Sequence, residues 1–291
     1  MPGLIIILAD NHRKYVNAKL TFACNSLLNA ARRIRQGHVD EDRVRHFLKR
    51  MIGQAVDLPE PSVVACDVAP DAPFIAIGDI HGRLDLLEEL LARHCVDQTL
   101  VFLGDYVDRG PSSAEVLALL KELCATRSAI CLKGNHEQMM LDFIDDPLGR
   151  GAGWLLHGGG ETLRSYGIAP PKRGGDLLAA SANLEEALPP GQLDWLRALP
   201  LQWRSGNLCC VHAAMDPAKA PDRQRSRTLI WGHPQFLTTP RDDGIWVVHG
   251  HTVVKRPLAG ASRIAVDTGA YQTNTLTAAE ITPGSCRFVS V

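Results

Sequence analysis

The sequence predicts an α/β fold, and three observations predict it. From Phe74 onward, short apolar runs alternate with longer stretches whose apolar residues recur at helical spacing. The early runs stop at a glycine followed by a polar side chain, as in Gly78-Asp79, Gly104-Asp105 and Gly134-Asn135. The later half is richer in strand-like runs than in helical ones. Open α/β sheets place their ligand sites at the carboxyl ends of strands, which is where these polar clusters fall.

In chain order, residues 74–77 (Phe-Ile-Ala-Ile) read as a first strand ending at Gly78-Asp79, and residues 84–94 as an amphipathic helix. Residues 100–103 form a second strand, residues 114–124 a helix, and residues 129–132 a third strand just before Gly134. Residues 154–166 and 192–199 read as helical. Further strands are expected over 207–211, 245–248, 263–266 and 275–281.

The 291 residues suit one large domain, or one domain with an appendage. The first seventy residues differ from the rest. They carry basic, helix-prone stretches at 30–35 and 43–50, then Pro59, Pro61, Pro70 and Pro73. The proline-rich passage reads as a linker. The division expected is an N-terminal extension and linker over 1–70, poorly ordered, and a catalytic domain over 71–291.

Composition excludes several function classes. A formal net charge of -1 gives no basic field, so nucleic acid is not an expected partner. The apolar run over residues 4–9 is too short to span a bilayer, has no basic segment before it, and is followed at once by Asp10, so no membrane partner is expected. Eight cysteines occur without a CxxC pair. They read as reduced core thiols of a cytoplasmic protein rather than a disulfide framework or a zinc finger.

Chemistry concentrates in five segments. These are Gly78-Asp79-Ile80-His81-Gly82, Gly104-Asp105-Tyr106-Val107-Asp108-Arg109-Gly110, Gly134-Asn135-His136-Glu137, Val211-His212-Ala213 and His249-Gly250-His251-Thr252. Asp79, His81, Asp105, Asn135, His212 and His251 offer three oxygen and three imidazole ligands. Such mixed sets suit borderline ions such as Mn²⁺, Fe²⁺ or Zn²⁺ better than Ca²⁺. Six ligands exceed one zinc site with an open position and suit two ions sharing a carboxylate. His249 lies two positions from His251 and is left out of the shell.

These five segments, in this order, resemble the signature of the phosphoprotein phosphatase family over roughly residues 74–280. The resemblance implies a calcineurin-like metallophosphoesterase β-sandwich flanked by helices. It implies two divalent transition-metal ions, with Mn²⁺ first and Fe or Zn as alternatives. By resemblance, Asp79 and His81 bind the first ion, Asp105 bridges both, and Asn135, His212 and His251 complete the second. His136 resembles the general acid, Asp108 its carboxylate partner, and Arg109 an arginine that grips phosphate. The expected reaction is hydrolysis of phosphomonoesters by in-line attack of a metal-bridging hydroxide. The expected substrate is phosphoserine or phosphothreonine in proteins; the alternative is a small phosphorylated metabolite such as a dinucleoside tetraphosphate.

Three further features bear on substrate binding. The passage from Trp154 to Gly160 is similar to a Trp- and Gly-rich wall of the cleft in bacterial members, and equally reads as a core tryptophan beside a turn. Tyr271 sits where the family often has a tyrosine near the substrate. His233 occupies the place of a second phosphate-binding arginine, and a histidine donates fewer hydrogen bonds.

Overall fold

The computed structural model describes residues 63–94, 98–172 and 175–291. The apolar run at 4–9, the basic stretches at 30–35 and 43–50, Pro59, Pro61, Cys24 and Cys95 lie outside the described residues.

Two sheets carry the structure. Strands β1 (Val63–Ala65), β2 (Phe74–Ile77), β3 (Thr99–Phe102), β4 (Ala129–Cys131), β10 (Thr277–Thr282) and β11 (Ser285–Ser290) form one, in the order β1-β11-β10-β2-β3-β4. Strands β5 (Gln202–Ser205), β6 (Leu208–Val211), β7 (Trp246–His249), β8 (Leu258–Gly260) and β9 (Arg263–Ala265) form the other, in the order β5-β6-β7-β9-β8. Within the first, β2, β3 and β4 are parallel, with Phe74 opposite Thr99 and Leu100 opposite Ala129. Within the second, β6, β7 and β9 are parallel. The parallel strands are nearly all apolar because both faces are covered.

Strand alternation builds the inter-sheet core. Phe74, Ala76, Val101, Ala279, Ile281 and Phe288 from the first sheet meet Leu208, Cys210, Val248 and Ile264 from the second. The opposite face of β6 and β7 turns Cys209, Val211 and Val247 toward Met215, Leu229, Ile230 and Phe236.

Helices follow the parallel strands. α1 spans Leu84–His94, and α2 (Ser113–Thr126) buries Val116, Leu117, Leu120 and Leu123 along one stripe. α3 (Asn135–Asp145) begins at the functional segment itself, and α4 (Pro147–Trp154) is capped by Asp146, whose side chain accepts the Gly149 N–H. The helix expected over residues 154–166 is broken. A π-type turn at Leu155–Gly159 separates α4 from α5 (Gly160–Ser165), and Gly158 has φ 106°. Only glycine takes that conformation without a Cβ penalty, so the chain turns there. α6 (Leu177–Ala187), α7 (Gln192–Ala198), α8 (Ser226–Trp231) and the short α9 (Ala270–Thr273) complete the helices.

The linker reading does not hold for residues 63–70. β1 pairs antiparallel with β11, Val64 opposite Cys286, and Val68 is buried in the inter-sheet core. Ala69 exchanges hydrogen bonds with Asn207, donating to Oδ1 at 2.7 Å and accepting from its N–H at 3.2 Å. Proline marks a break in regular structure, not an absence of packing, and the sequence signal could not separate the two. No helix among the described residues is long and apolar enough to cross a membrane.

Candidate metal centre

The carboxyl ends of β2, β3, β6 and β7 deliver Asp79, Asp105, His212 and His251 to one end of the sandwich, and the segment after β4 adds Asn135 and His136. Hydrogen bonds stitch neighbouring loops within each sheet. The N–H groups of Ile80 and His81 donate to the Asp105 carbonyl, and Gly250 N–H donates to the His212 carbonyl. Gly104, with φ 107°, allows the closest approach, since a Cβ there would lie 2.7 Å from the Gly134 nitrogen and 2.8 Å from His212 Nδ1.

Backbone strain collects here. His81, Asp105, Asp108, Arg109 and His251 all have φ between 47° and 72°, a region that residues with a Cβ seldom adopt. Such strain persists only where surrounding contacts over-determine it.

Asp105 is the centre of the arrangement. Its Oδ2 lies 3.6 Å from His81 Nε2 and 3.9 Å from His136 Nε2; its Oδ1 lies 3.3 Å from His212 Nε2. Two groups therefore share it, His81–Asp105–His136 and Asp105–His212–His251, each with ligand atoms within 4.8 Å of one another. Asn135 joins the second group, its Oδ1 2.9 Å from His212 Nε2. Asp79 is buried beside both, and its two oxygens accept the His251 N–H at 3.1 Å. Burial, then the neighbouring Asp267 and Asp105, push the Asp79 carboxyl well above the usual range.

The donor set fits a metal ion. His212 Nδ1 donates to the Leu103 carbonyl at 3.0 Å, so its Nε2 carries a bare lone pair. That lone pair faces two more acceptors, Asn135 Oδ1 and Asp105 Oδ1. Burial holds the His212 imidazole down to about 4, so a proton does not resolve the clash at neutral pH. A cation would. His81 is arranged alike: Nδ1 donates to the Val107 carbonyl at 2.8 Å, and burial pulls the ring down to about 3. These backbone bonds fix which ring nitrogen faces a metal.

His136 differs from the other imidazoles. Its Nδ1 donates to Asp108 Oδ2 at 2.6 Å. Burial alone would lower its pKa, but Asp105 and then Asp108 outweigh it and raise the ring above its ordinary value. Arg109 reaches over this side, donating from Nη1 to His81 Nε2 and from Nη2 to His136 Nε2, each at 3.1 Å. The Tyr271 ring lies 4.5 Å from the Arg109 guanidinium and 5.3 Å from the His81 ring. His249 faces away, stacked edge-on against Phe236 with ring centroids 4.9 Å apart.

His233 stands elsewhere in the contact pattern. Its Nε2 lies 3.7 Å from Asp216 Oδ2, and its Nδ1 accepts the Gln235 N–H at 3.4 Å. Lys219 shares the same Asp216 oxygen at 2.7 Å. Asp216 follows the His212 loop by four residues, so His233 borders the region through Asp216.

Four residues without an assigned role complete the site. Glu137 Oε2 accepts the N–H groups of Asp105 and Gly134, and its Oε1 those of Tyr106 and Val107. Burial, then Asp105, raise the Glu137 carboxyl to about 7. Trp154 Nε1 donates to both oxygens of Asp108, and the Thr162 hydroxyl donates to Oδ1 at 2.6 Å. Asp267, raised to about 6 chiefly by burial, completes the acidic surroundings of Asp79. Of these, Glu137 was visible only as the last residue of its segment, and Trp154 only as part of a glycine-rich passage.

Residues 72–263 match the family described as calcineurin-like phosphoesterase. The serine/threonine-protein phosphatase 1 of Salmonella typhimurium is 32% identical over 70% of this chain and 90% of its own. The asymmetrical bis(5'-nucleosyl)-tetraphosphatase PrpE of Geobacillus sp. is 29% identical over 69% of this chain and 87% of its own. A Saccharomyces cerevisiae protein serine/threonine phosphatase, similar to human phosphatase PP5, superposes with a TM-score of 0.53 at 17% identity, covering 76% of this chain and 80% of its own. The match runs across all five motif segments, and the chain belongs to the calcineurin-like phosphoesterase family.

Proposed function

We propose that this protein is a dinuclear-metal phosphatase whose first substrates are phosphoserine and phosphothreonine in proteins. The observation that carries the reading is the sharing of Asp105 between two ligand groups, with the His136–Asp108 pair at the border of one of them. Two divalent ions, Mn²⁺ in the first instance, would neutralise charge on the phosphate and lower the pKa of a water molecule to about 7.

The chain's own residues supply the rest. Arg109 presents a planar fork to the phosphate oxygens, and Tyr271 packs on its face and limits its swing. When Arg109 turns its Nη2 from His136 to the phosphate, His136 Nε2 is free to carry a proton and give it to the departing alkoxide oxygen. Asp108 keeps Nδ1–H oriented and favours the charged ring, and Trp154 and Thr162 keep Asp108 in place. In this reading His233 is a rim contact to phosphate rather than a second clamp, since Asp216 already engages it. The six described cysteines are free thiols, which supports a cytoplasmic setting.

A second reading is hydrolysis of a dinucleoside tetraphosphate, favoured by the relatives named for that reaction. A panel of phosphopeptides, dinucleoside tetraphosphates and phosphodiesters, run on one Mn²⁺-loaded preparation, separates the two. The proposal expects the highest kcat/KM on a phosphopeptide. A dinucleoside tetraphosphate preferred by tenfold or more would replace the first reading with the second.

A further inference from the structure

The end of α2 and the end of β4 bring two thiols together. Cys124 Sγ lies 3.3 Å from Cys131 Sγ. The chain reverses between them at Arg127, which leaves the helix in an extended conformation and lets β4 return alongside. Cys131 is buried and Cys124 is half-buried, so a small solute meets Cys124 first. A disulfide places its sulfurs about 2.05 Å apart, so closing this pair takes roughly an ångström of approach, within the reach of χ1 adjustments.

Chemistry assigns each thiol a part. Cys131 holds the Cys124 thiol below its ordinary value through a hydrogen bond, whereas burial pushes Cys131 well above its own. The more accessible sulfur is therefore also the more readily ionised, as an attacking thiol requires. Among the described residues, no other pair of cysteine sulfurs makes such a contact. Cys209 and Cys210 are adjacent on β6 but point to opposite faces, one into each core cluster.

We propose that Cys124 and Cys131 form a reactive dithiol that reduces a low-molecular-weight disulfide of the glutathione type and closes an intramolecular disulfide. In the first step Cys124 thiolate attacks one sulfur of the small disulfide. A mixed disulfide forms, the small S–S bond breaks, and one small thiolate leaves and takes a proton from water. In the second step Cys131 loses its proton to solvent and attacks Cys124 Sγ. The mixed disulfide breaks, and the second small thiolate leaves and is protonated. Two protein thiols are oxidised by two electrons, and one small disulfide is reduced to two thiols. The bond would tie α2 to the strand that runs on through Leu132, whose carbonyl accepts the Tyr106 hydroxyl at 2.6 Å, one residue beyond Asp105. The proposal stands apart from any reading of the phosphatase substrate.

The sequence makes the test direct, because trypsin cuts after Lys121, Arg127 and Lys133 and separates the two cysteines into residues 122–127 and 128–133. The full chain is incubated with glutathione disulfide, alkylated, digested without reductant and mapped. The expected result is a cross-link between these two peptides, loss of two of the eight thiols, and recovery of both with dithiothreitol. Cys131→Ser should stop at a glutathione adduct on Cys124. The proposal is overturned if both peptides stay unlinked in the unaltered chain. It is equally overturned if a glutathione adduct persists there on Cys124, or if Cys124 joins another cysteine.

Discussion

His136 Nδ1 lies 2.6 Å from Asp108 Oδ2, and both side chains are sealed from solvent. Burying an ionised carboxylate is costly unless its lone pairs are satisfied. Asp108 meets that cost with hydrogen bonds from His136, Trp154 and Thr162. The pair is therefore a stable element, able to hold a charged imidazole next to the proposed metal ligands.

Replacing Asp108 by Asn tests that element. The amide cannot stabilise the imidazolium, so kcat on an alkyl phosphate should fall by roughly 10²-fold or more, within the range of general acid catalysis. Aryl phosphates leave with less need of a proton, so their loss should be much smaller. Steady-state rates on both substrates check this; equal losses would remove His136 from the proton-donating role.

Trp154→Phe probes the layer behind. The ring stacks on Phe143 with centroids 4.8 Å apart, and phenylalanine can keep that contact. It cannot donate to Asp108. Leaving a buried carboxylate short of a donor costs on the order of 1–3 kcal/mol. Denaturant unfolding should show that loss, and kcat should fall less than in Asp108→Asn.

Glu137→Gln addresses a residue outside the expected ligand set. Four backbone N–H groups point at its carboxylate oxygens, and an amide would turn an NH₂ group toward two of them. Donor would face donor. A destabilisation on the order of 1–3 kcal/mol is expected, with weaker metal retention because the Asp105 loop loses its anchor. Thermal unfolding and metal content after dialysis measure both; a fully stable variant with normal metal content would contradict the account.

Two shortened chains test where the folded part begins. A chain starting at Met51 keeps β1 and Val68, and should fold and retain most of its kcat/KM. A chain starting at residue 71 loses the β1–β11 pairing and a buried valine, worth on the order of 2 kcal/mol in apolar burial alone. Its Tm should fall clearly below that of the Met51 chain. Equal Tm values would mean that residues 63–70 contribute nothing.

Much of this was legible in the sequence, for a physical reason. Asp79, Asp105, Asn135, His212 and His251 each follow a strand directly or within a few residues, and that pattern is local. The helix α1 was read with its observed bounds because Leu86, Leu87 and Leu90 recur at helical spacing. What stayed hidden depends on distant partners. Thr162 meets Asp108 across 54 positions, and Trp154 across 46. No local pattern records such contacts. α4 carries three glycines in eight residues, a poor helical signal that its Asp146 cap and Pro147 start compensate. β1 is a three-residue edge strand with little burial, and its partner β11 lies inside the sheet between β1 and β10, so the β1–β11 pairing follows from tertiary packing rather than from propensity.

The central claim is that Asp105 serves two metal ions at once, and metal content read beside activity tests it most directly. Protein loaded with Mn²⁺ and freed of excess should carry about two ions per chain. Asp105→Asn should lose most of both, together with turnover. Chelation should abolish activity, and Mn²⁺ should restore it. A chain that turns over at its full rate with one ion or none, or an Asp105→Asn variant that still holds two, would contradict the account.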